Sequence, residues 1–347
     1  MNLRTNNIPE SVWSLINQID HLKGRWIGGA KLNPQALGRL KRSVLVTSTG
    51  ASTRIEGSKL SDEDVEKFMR GLSLQKFTDR DKQEVQGYFE LLENVFTSWK
   101  HIPFTEGVIK QLHRELLKYT EKDERHRGEY KKMENSVEMF DESGKSVGVI
   151  IETTPAYLTP KRMEALVERT ADALKQGGGH SLIVIGNFLV EFLAIHPFQD
   201  GNGRLSRILT NLLLLKAGYE YVPYVSHEKL VEDNKTDYYV ALRKSQSSLG
   251  TERENVTPWL EFFLTVSLEQ ARQAIELLSH ENIEKILSPK QLAVWRHFEV
   301  VSEATAGDIA KAAGVARPTV SQAIDVLLRL KKIERIGQGR TTRYRKV

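Results

Sequence analysis

Apolar residues recur at intervals of three and four along most of the chain, which predicts a mainly α-helical protein. Asn33-Pro34 reads as a helix start, an N-cap followed by proline at the first helical position. Leu37, Leu40, Val44 and Leu45 carry that helix towards Ile55, although the run Thr47 to Thr53 has poor helix propensity. Gly57 reads as its C-terminal cap, and Ser61-x-x-Asp64 as a capping box that opens the next helix. The stretch Ser181 to Ile195 predicts a buried helix ended by Pro197, and another helix runs from about Gly203 to Ala217. Strand-like segments Val137–Phe140 and Val147–Ile151 flank a turn at Asp141-Glu-Ser-Gly144, which predicts one β-hairpin, with helices resuming near Pro160.

The pattern changes near Ser288-Pro289. A helix at Ala306–Ala313, a turn at Gly314-Val315 and a helix at Pro318–Leu330 come first. Then follow Ile333–Ile336, a turn at Gly337-Gln-Gly339, and Thr341–Tyr344. This is the order of a winged helix-turn-helix. At 347 residues, two or three domains are expected. The expected division is a helical region at 1–105, a catalytic core at 106–285 and the winged helix at 286–347.

Composition narrows the chemistry. Hydrophobic residues make up 40% and charged residues 27%, as in an ordinary globular protein, and there is no cysteine. Disulfides, thiolate metal sites and cysteine nucleophiles are therefore excluded. The first residues show no signal-peptide pattern, and Leu182 to Ile195, broken by Asn187 and Glu191, is too short to span a bilayer. A cytoplasmic protein without membrane attachment is expected. The net charge of +5 is concentrated at the end: beyond Leu327 eight basic residues are opposed only by Glu334. DNA is the partner this end would suit, through Arg317, Thr319, Ser321 and Gln322 at the second helix and Arg340, Arg343 and Arg345 at the wing. Dimerisation or docking of a protein is the alternative use of such a module.

The segment that carries chemistry is His196-Pro-Phe198-Gln-Asp200-Gly201-Asn202-Gly203-Arg204-Leu-Ser-Arg207. A buried helix delivers His196, a glycine-bearing loop follows, and a new helix begins with Arg204 and Arg207 on one face. Glycines and a helix N-terminus can cradle phosphate, and two arginines supply forked donors to its oxygens. Asp200 offers a hard oxygen to Mg²⁺, and His196 is a candidate general base. Competing phosphate and metal motifs fail. Gly144-Lys145-Ser146 lacks the first Walker glycine, which is Met139 here; Gly201-x-Gly203 lacks the third dinucleotide glycine; and an EF-hand would need glycine at Leu205 and glutamate at Asn211.

These residues resemble the Fic-family signature H-x-F-x-[D/E]-G-N-G-R-x-x-R at all eight specified positions. The resemblance extends over about residues 1 to 285. It implies a protein adenylyltransferase: His196 takes the proton of a Ser, Thr or Tyr hydroxyl on a target protein, which attacks the α-phosphate of ATP. It further implies that Asp200 holds Mg²⁺, that Gly201, Asn202 and Gly203 form the anion nest, and that Arg204 and Arg207 meet the β- and γ-phosphates. Phe198 would pack the loop onto the core. Glycine at 203, rather than the lysine of the phosphate-transferring Doc branch, favours AMP transfer. The hairpin resembles the family flap, which aligns the target by strand addition. Tyr238 and Tyr239 resemble the nucleoside-contacting region, and Asn211 a polar residue near the site.

Ser52-Thr-Arg-Ile-Glu56-Gly57 is similar to the family's inhibitory signature [S/T]-x-x-x-E-[G/N]. An acid at the negative end of a helix dipole is unfavourable without a basic partner. The resemblance names Arg207 as that partner, with Ser52 fixing the helix. It also implies AMP removal as a further activity and a homodimer. The competing expectation is a DNA-binding regulator whose Fic part senses a nucleotide.

Overall fold

The computed structural model describes residues 8–29, 34–71, 79–140, 146–329, 332–337 and 342–346. The expected N-cap Asn33, the hairpin turn at 141–144, most of the wing turn and Arg340 lie outside these residues.

The chain divides into two compact units, residues 1–275 and 276–347. The first opens with α1 (Glu10–Gly29), α2 (Pro34–Ile55), α3 (Asp62–Met69), α4 (Asp79–Ser98) and α5 (Glu106–Leu116). The antiparallel hairpin β1 (Ser136–Phe140) and β2 (Ser146–Glu152) follows, in a register that pairs Val137 with Ile151 and contains two irregularities. Then come α6 (Thr159–Gln176), α7 (Ser181–Ile195), α8 (Asn202–Lys216), α9 (His227–Asp233), α10 (Lys235–Gln246) and α11 (Thr257–Ile286), whose last turns pass into the second unit. Among the described residues no helix is long and apolar enough to cross a membrane.

Helix α7 is the centre of the first unit. It is buried without interruption from Leu182 to Val190. Each such Leu, Ile or Phe contributes about 1.5–3 kcal/mol of gross burial. Helix α8 is buried from Arg204 to Leu215, so the core clamps both helices that flank the loop between them.

Helix α2 is continuous through the poor formers at 47–53 because tertiary burial overrides propensity. Ser48, Thr49, Ser52 and Thr53 are fully buried, and the Thr53 hydroxyl donates back to the Thr49 carbonyl at 2.9 Å. The helix stops at Ile55, Gly57 turns the chain at φ 100°, and Ser61 and Asp64 form the expected capping box.

The second unit contains α12 (Pro289–Val300), β3 (Glu303–Ala304), α13 (Ala306–Ala313), α14 (Arg317–Arg329), β4 (Ile333–Ile336) and β5 (Arg343–Lys346). Ser288 with Gln291 and Thr305 with Asp308 cap α12 and α13 by full capping boxes. Val294, Trp295, Phe298, Ile309, Val320, Ile324 and Leu327 form its core. The structure corrects three details of this unit. The wing belongs to a three-stranded sheet in the order β3-β5-β4 rather than a lone hairpin, its last strand runs on to Lys346, and α14 begins at Arg317. The two-residue β3 is too short to carry a periodicity.

Helices α4 and α5 approach closely at Gly87, where a Cβ would lie 2.1 Å from the Leu116 carbonyl oxygen. Backbone cannot yield as a side chain tip does, so Gly87→Ala is expected to cost about 1–3 kcal/mol of stability despite its better helix propensity. Urea unfolding of the two chains checks this.

Candidate active site

Helix α7 ends at His196, which takes the left-handed conformation (φ 51°, ψ 62°) and donates its N–H to the Phe192 carbonyl at 2.9 Å. It is the one non-glycine residue with positive φ among the described residues. Its Nδ1 is buried without a hydrogen bond of normal geometry. Burial, reinforced by the nearby Lys131 charge and partly opposed by the Leu193 carbonyl, lowers the imidazole pKa to about 4. The ring is therefore neutral at ordinary pH, as a general base must be.

The loop beyond His196 is closed from inside. Asn202 accepts from the Phe198 N–H at 2.9 Å and donates to the Phe198 carbonyl at 2.7 Å. Its side chain is thus committed to shaping the loop, leaving backbone N–H groups as its means of meeting an anion. Gly201 takes the left-handed N-cap position of α8 at φ 77°. Phe198 is fully buried and stacks on His113 of α5, with ring centroids 3.8 Å apart and planes 8° from parallel. His113 accepts from the Gly128 N–H through Nδ1 at 2.9 Å. That fixes its neutral tautomer, so Nε2–H donates to the Asp200 carbonyl at 2.9 Å.

Asp200 faces two arginines. Oδ2 lies 3.1 Å from Arg80 of α4 and Oδ1 lies 3.2 Å from Arg204, while the Gly201 N–H also donates to Oδ1 at 2.6 Å. Burial works against this carboxylate, but Arg204, the Gly201 N–H and Arg80 outweigh it and hold its pKa below the ordinary value. Arg204 is buried, and its Nη1 lies 3.0 Å from Glu84 in an ion pair without hydrogen-bond alignment.

Arg207 is also buried, and α2 holds it. Nε donates to the Ser52 hydroxyl at 2.8 Å, and Nη2 donates to the Ser52 carbonyl at 2.9 Å and to Glu56 Oε1 at 2.7 Å. Desolvation opposes the Glu56 carboxylate, yet the charge and hydrogen bond of Arg207 keep its pKa below the usual glutamate value. Gly203 admits this contact, since a Cβ there would sit 2.2 Å from Glu56 Oε1. Gly57 follows at the exposed end of the helix and bonds none of these groups.

Tyr238 lies in an aromatic cluster with Tyr239, Trp259 and Phe262, and it lines a small enclosed cavity behind Arg207. Burial, against the opposing charge of Arg207, raises its phenol pKa to about 12. Asn211 reaches away from the loop, donating to the Arg207 carbonyl at 3.0 Å and to buried Glu228 at 2.6 Å. Glu228 also accepts from Tyr88 at 2.9 Å. His113, Arg80, Glu84, Tyr88 and Glu228 carry no sequence signal, because each is an isolated polar residue that only the packing brings to the loop.

A family model described as Fic/DOC matches residues 103–214. The chain contains a Fic/DOC domain. A second model, the C-terminal domain of transcriptional regulator DIP2311-like, matches residues 290–347. A probable protein adenylyltransferase of Aquifex aeolicus is 29% identical over 152 residues, covering 40% of this chain and 45% of the relative. Protein adenylyltransferase fic-1 of Caenorhabditis briggsae is 30% identical over 101 residues, covering 26% of this chain and 19% of the relative. The chain thus spans less than half the length of these curated relatives. The crystal structure of a Fic family protein from Desulfovibrio desulfuricans is similar over 100% of this chain and 98% of that one, with a TM-score of 0.64 and 25% identity.

Besides His196, burial lowers the pKa values of His113 and His227 to about 4. Their folded-state values lie below the unfolded value of 6.5, so the unfolded chain binds more protons between them. Stability is expected to be complete above the unfolded value and to fall as pH drops through that window towards about 4. Thermal melts across it check the sign, and a melting temperature that stays flat or rises on acidification contradicts it.

Proposed function

We propose that this protein transfers AMP from ATP to a Ser, Thr or Tyr hydroxyl of a target protein, and that α2 holds the activity off. The observation that carries the reading is the guanidinium of Arg207. It is bound three times by the Ser52–Glu56 segment beside a loop that presents a neutral histidine. The names of the adenylyltransferase relatives support the same chemistry.

In this reading His196 accepts the proton of the target hydroxyl. The oxygen attacks the α-phosphorus, the bond to pyrophosphate breaks, and AMP remains on the target. The backbone of Gly201, Asn202 and Gly203 receives phosphate oxygens, with Arg204 on the β-phosphate and Arg207 on the γ-phosphate. The ionised Asp200 fits Mg²⁺, which takes few protein carboxylates beside phosphate oxygens and would neutralise charge on the leaving pyrophosphate. The hairpin lies beside the loop in the chain's hydrogen bonding and would align a target strand. While Glu56 occupies Arg207 and the face of Gly203, the γ-phosphate has neither its cation nor its space.

Freeing Arg207 from a charge-assisted hydrogen bond removes about 1.5–3 kcal/mol of holding energy. Glu56→Gly is therefore expected to raise AMP incorporation about tenfold or more. His196→Ala should lower it at least about 100-fold. Incubation with α-labelled ATP and Mg²⁺, followed by intact mass spectrometry, measures both. No adduct in any variant, even with cell lysate as a source of targets, would sink the reading.

We infer DNA as a partner of the second unit. Arg317, Ser321, Gln322 and Arg329 are exposed along α14, and Arg343 and Arg345 are exposed on β5. Glu303 and Glu334 partly neutralise the latter two, at 3.0 and 2.5 Å. Binding of duplex DNA, followed by fluorescence anisotropy, should weaken steeply with added salt and weaken again in Arg317→Ala. Salt-insensitive binding, or none, argues for a protein partner instead.

A further inference from the structure

The left-handed turn at His196 leaves four consecutive carbonyls, Ile195 to Phe198, beyond the reach of helical N–H groups, and buried carbonyls need partners. One five-residue segment meets all four. The Lys131 N–H donates to the Pro197 carbonyl at 2.9 Å, and the Lys131 ammonium donates to the Ile195 carbonyl at 3.1 Å. The Asn135 amide donates to the Phe198 carbonyl at 2.9 Å and, more weakly, to the His196 carbonyl at 3.4 Å.

These two side chains are themselves held. The Lys131 ammonium fills its remaining donors with Asn135 Oδ1 at 2.7 Å and Thr153 Oγ1 at 2.8 Å. The Thr153 hydroxyl lies 2.7 Å from both Oδ1 and the backbone oxygen of Asn135, to which it donates. Asn135 immediately precedes β1 and Thr153 immediately follows β2, so the same bonds close the base of the hairpin. The Thr154 N–H then donates to the Ala194 carbonyl on the last turn of α7 at 3.3 Å. Lys131 is buried, so its charge is spent on these acceptors rather than on solvent.

We propose that Lys131, Asn135 and Thr153 are positioning residues for His196: they hold its left-handed turn and join it to the hairpin base, so that a strand seated on the hairpin and the base that deprotonates its hydroxyl are registered as one body. This rests on the adenylyl-transfer reading. A hydroxyl must meet the imidazole within hydrogen-bond reach, and a misplacement of about 1 Å can cost about 100-fold in rate. In that reading Gly201 to Gly203 and α8 receive the nucleotide phosphates, and the clasp shares with them only the Phe198 carbonyl, to which Asn135 and Asn202 both donate, so nucleotide affinity serves as the control.

The test uses the full chain carrying Glu56→Gly, with Asn135→Ala, Thr153→Val or Thr153→Ser added. Asn135→Ala and Thr153→Val should lower kcat about 10- to 100-fold while the KM for ATP stays within about threefold. Thr153→Ser, which keeps the hydroxyl, should restore kcat. Amide exchange in a peptide spanning 192–204 should quicken in the first two variants and not in the serine variant. An unchanged kcat, or kcat and nucleotide affinity lost together, overturns the proposal. If the Glu56→Gly chain itself transfers no AMP, the adenylyl reading has failed by itself. Exchange at 192–204 then decides the clasp, and unaltered exchange overturns it.

Discussion

A guanidinium buried to the extent of Arg207 must be met by acceptors, because an unpaired charge in the core costs several kcal/mol. Its acceptors come from Ser52 and Glu56, more than 150 positions earlier in the chain. That requirement fixes α2 against α8 and dictates details on both. Gly203 must lack a side chain so that Glu56 can approach, and α2 must carry small polar residues on its buried face. Arg54 pins the same turn of α2, donating to Glu232 of α9 at 2.6 Å and to the Leu60 carbonyl at 2.9 Å, and forming an ion pair with Asp62 at 2.9 Å. Arg207 keeps Nη1 buried without a hydrogen-bond partner.

Around that ion pair the loop is bonded and packed from several sides. Asn202 closes it, Phe198 anchors it, and His113 holds the Asp200 carbonyl through a tautomer its own neighbour imposes. Behind it, Glu228 gathers Tyr88 and Asn211, while Ser226 accepts from Ser48 of α2 at 2.8 Å. In the proposed reaction, charge developing on phosphate would meet dipoles already in place, so none would have to reorganise. The left-handed His196 is part of the same economy, a local strain tolerated because the surroundings hold it.

Much of this was legible in the linear order of residues. The 3.6-residue period marks the helices, and the Ser61 capping box is local chemistry that needs no partner from elsewhere. The short signature from His196 to Arg207 keeps all its groups within one loop and one helical turn, so sequence spacing alone sets their approximate geometry. The pairing of Glu56 with Arg207 was expected from a resemblance, and the misplaced dipole of Glu56 gave it a physical motive.

What the tertiary structure decided was everything that depends on distance without sequence proximity. Helix α2 stays helical through weak formers because burial overrides propensity. Tyr238 lies within an aromatic cluster behind Arg207, a placement its local sequence does not indicate. Lys131 is a charged residue just before the hairpin, yet it is buried, and together with Asn135 it bonds the turn at His196. A sequence records which groups can donate or accept, and local periodicity says which face they share. Only the packed chain decides which buried carbonyl or charge each of them must satisfy, because that obligation arises from burial and not from the chain itself.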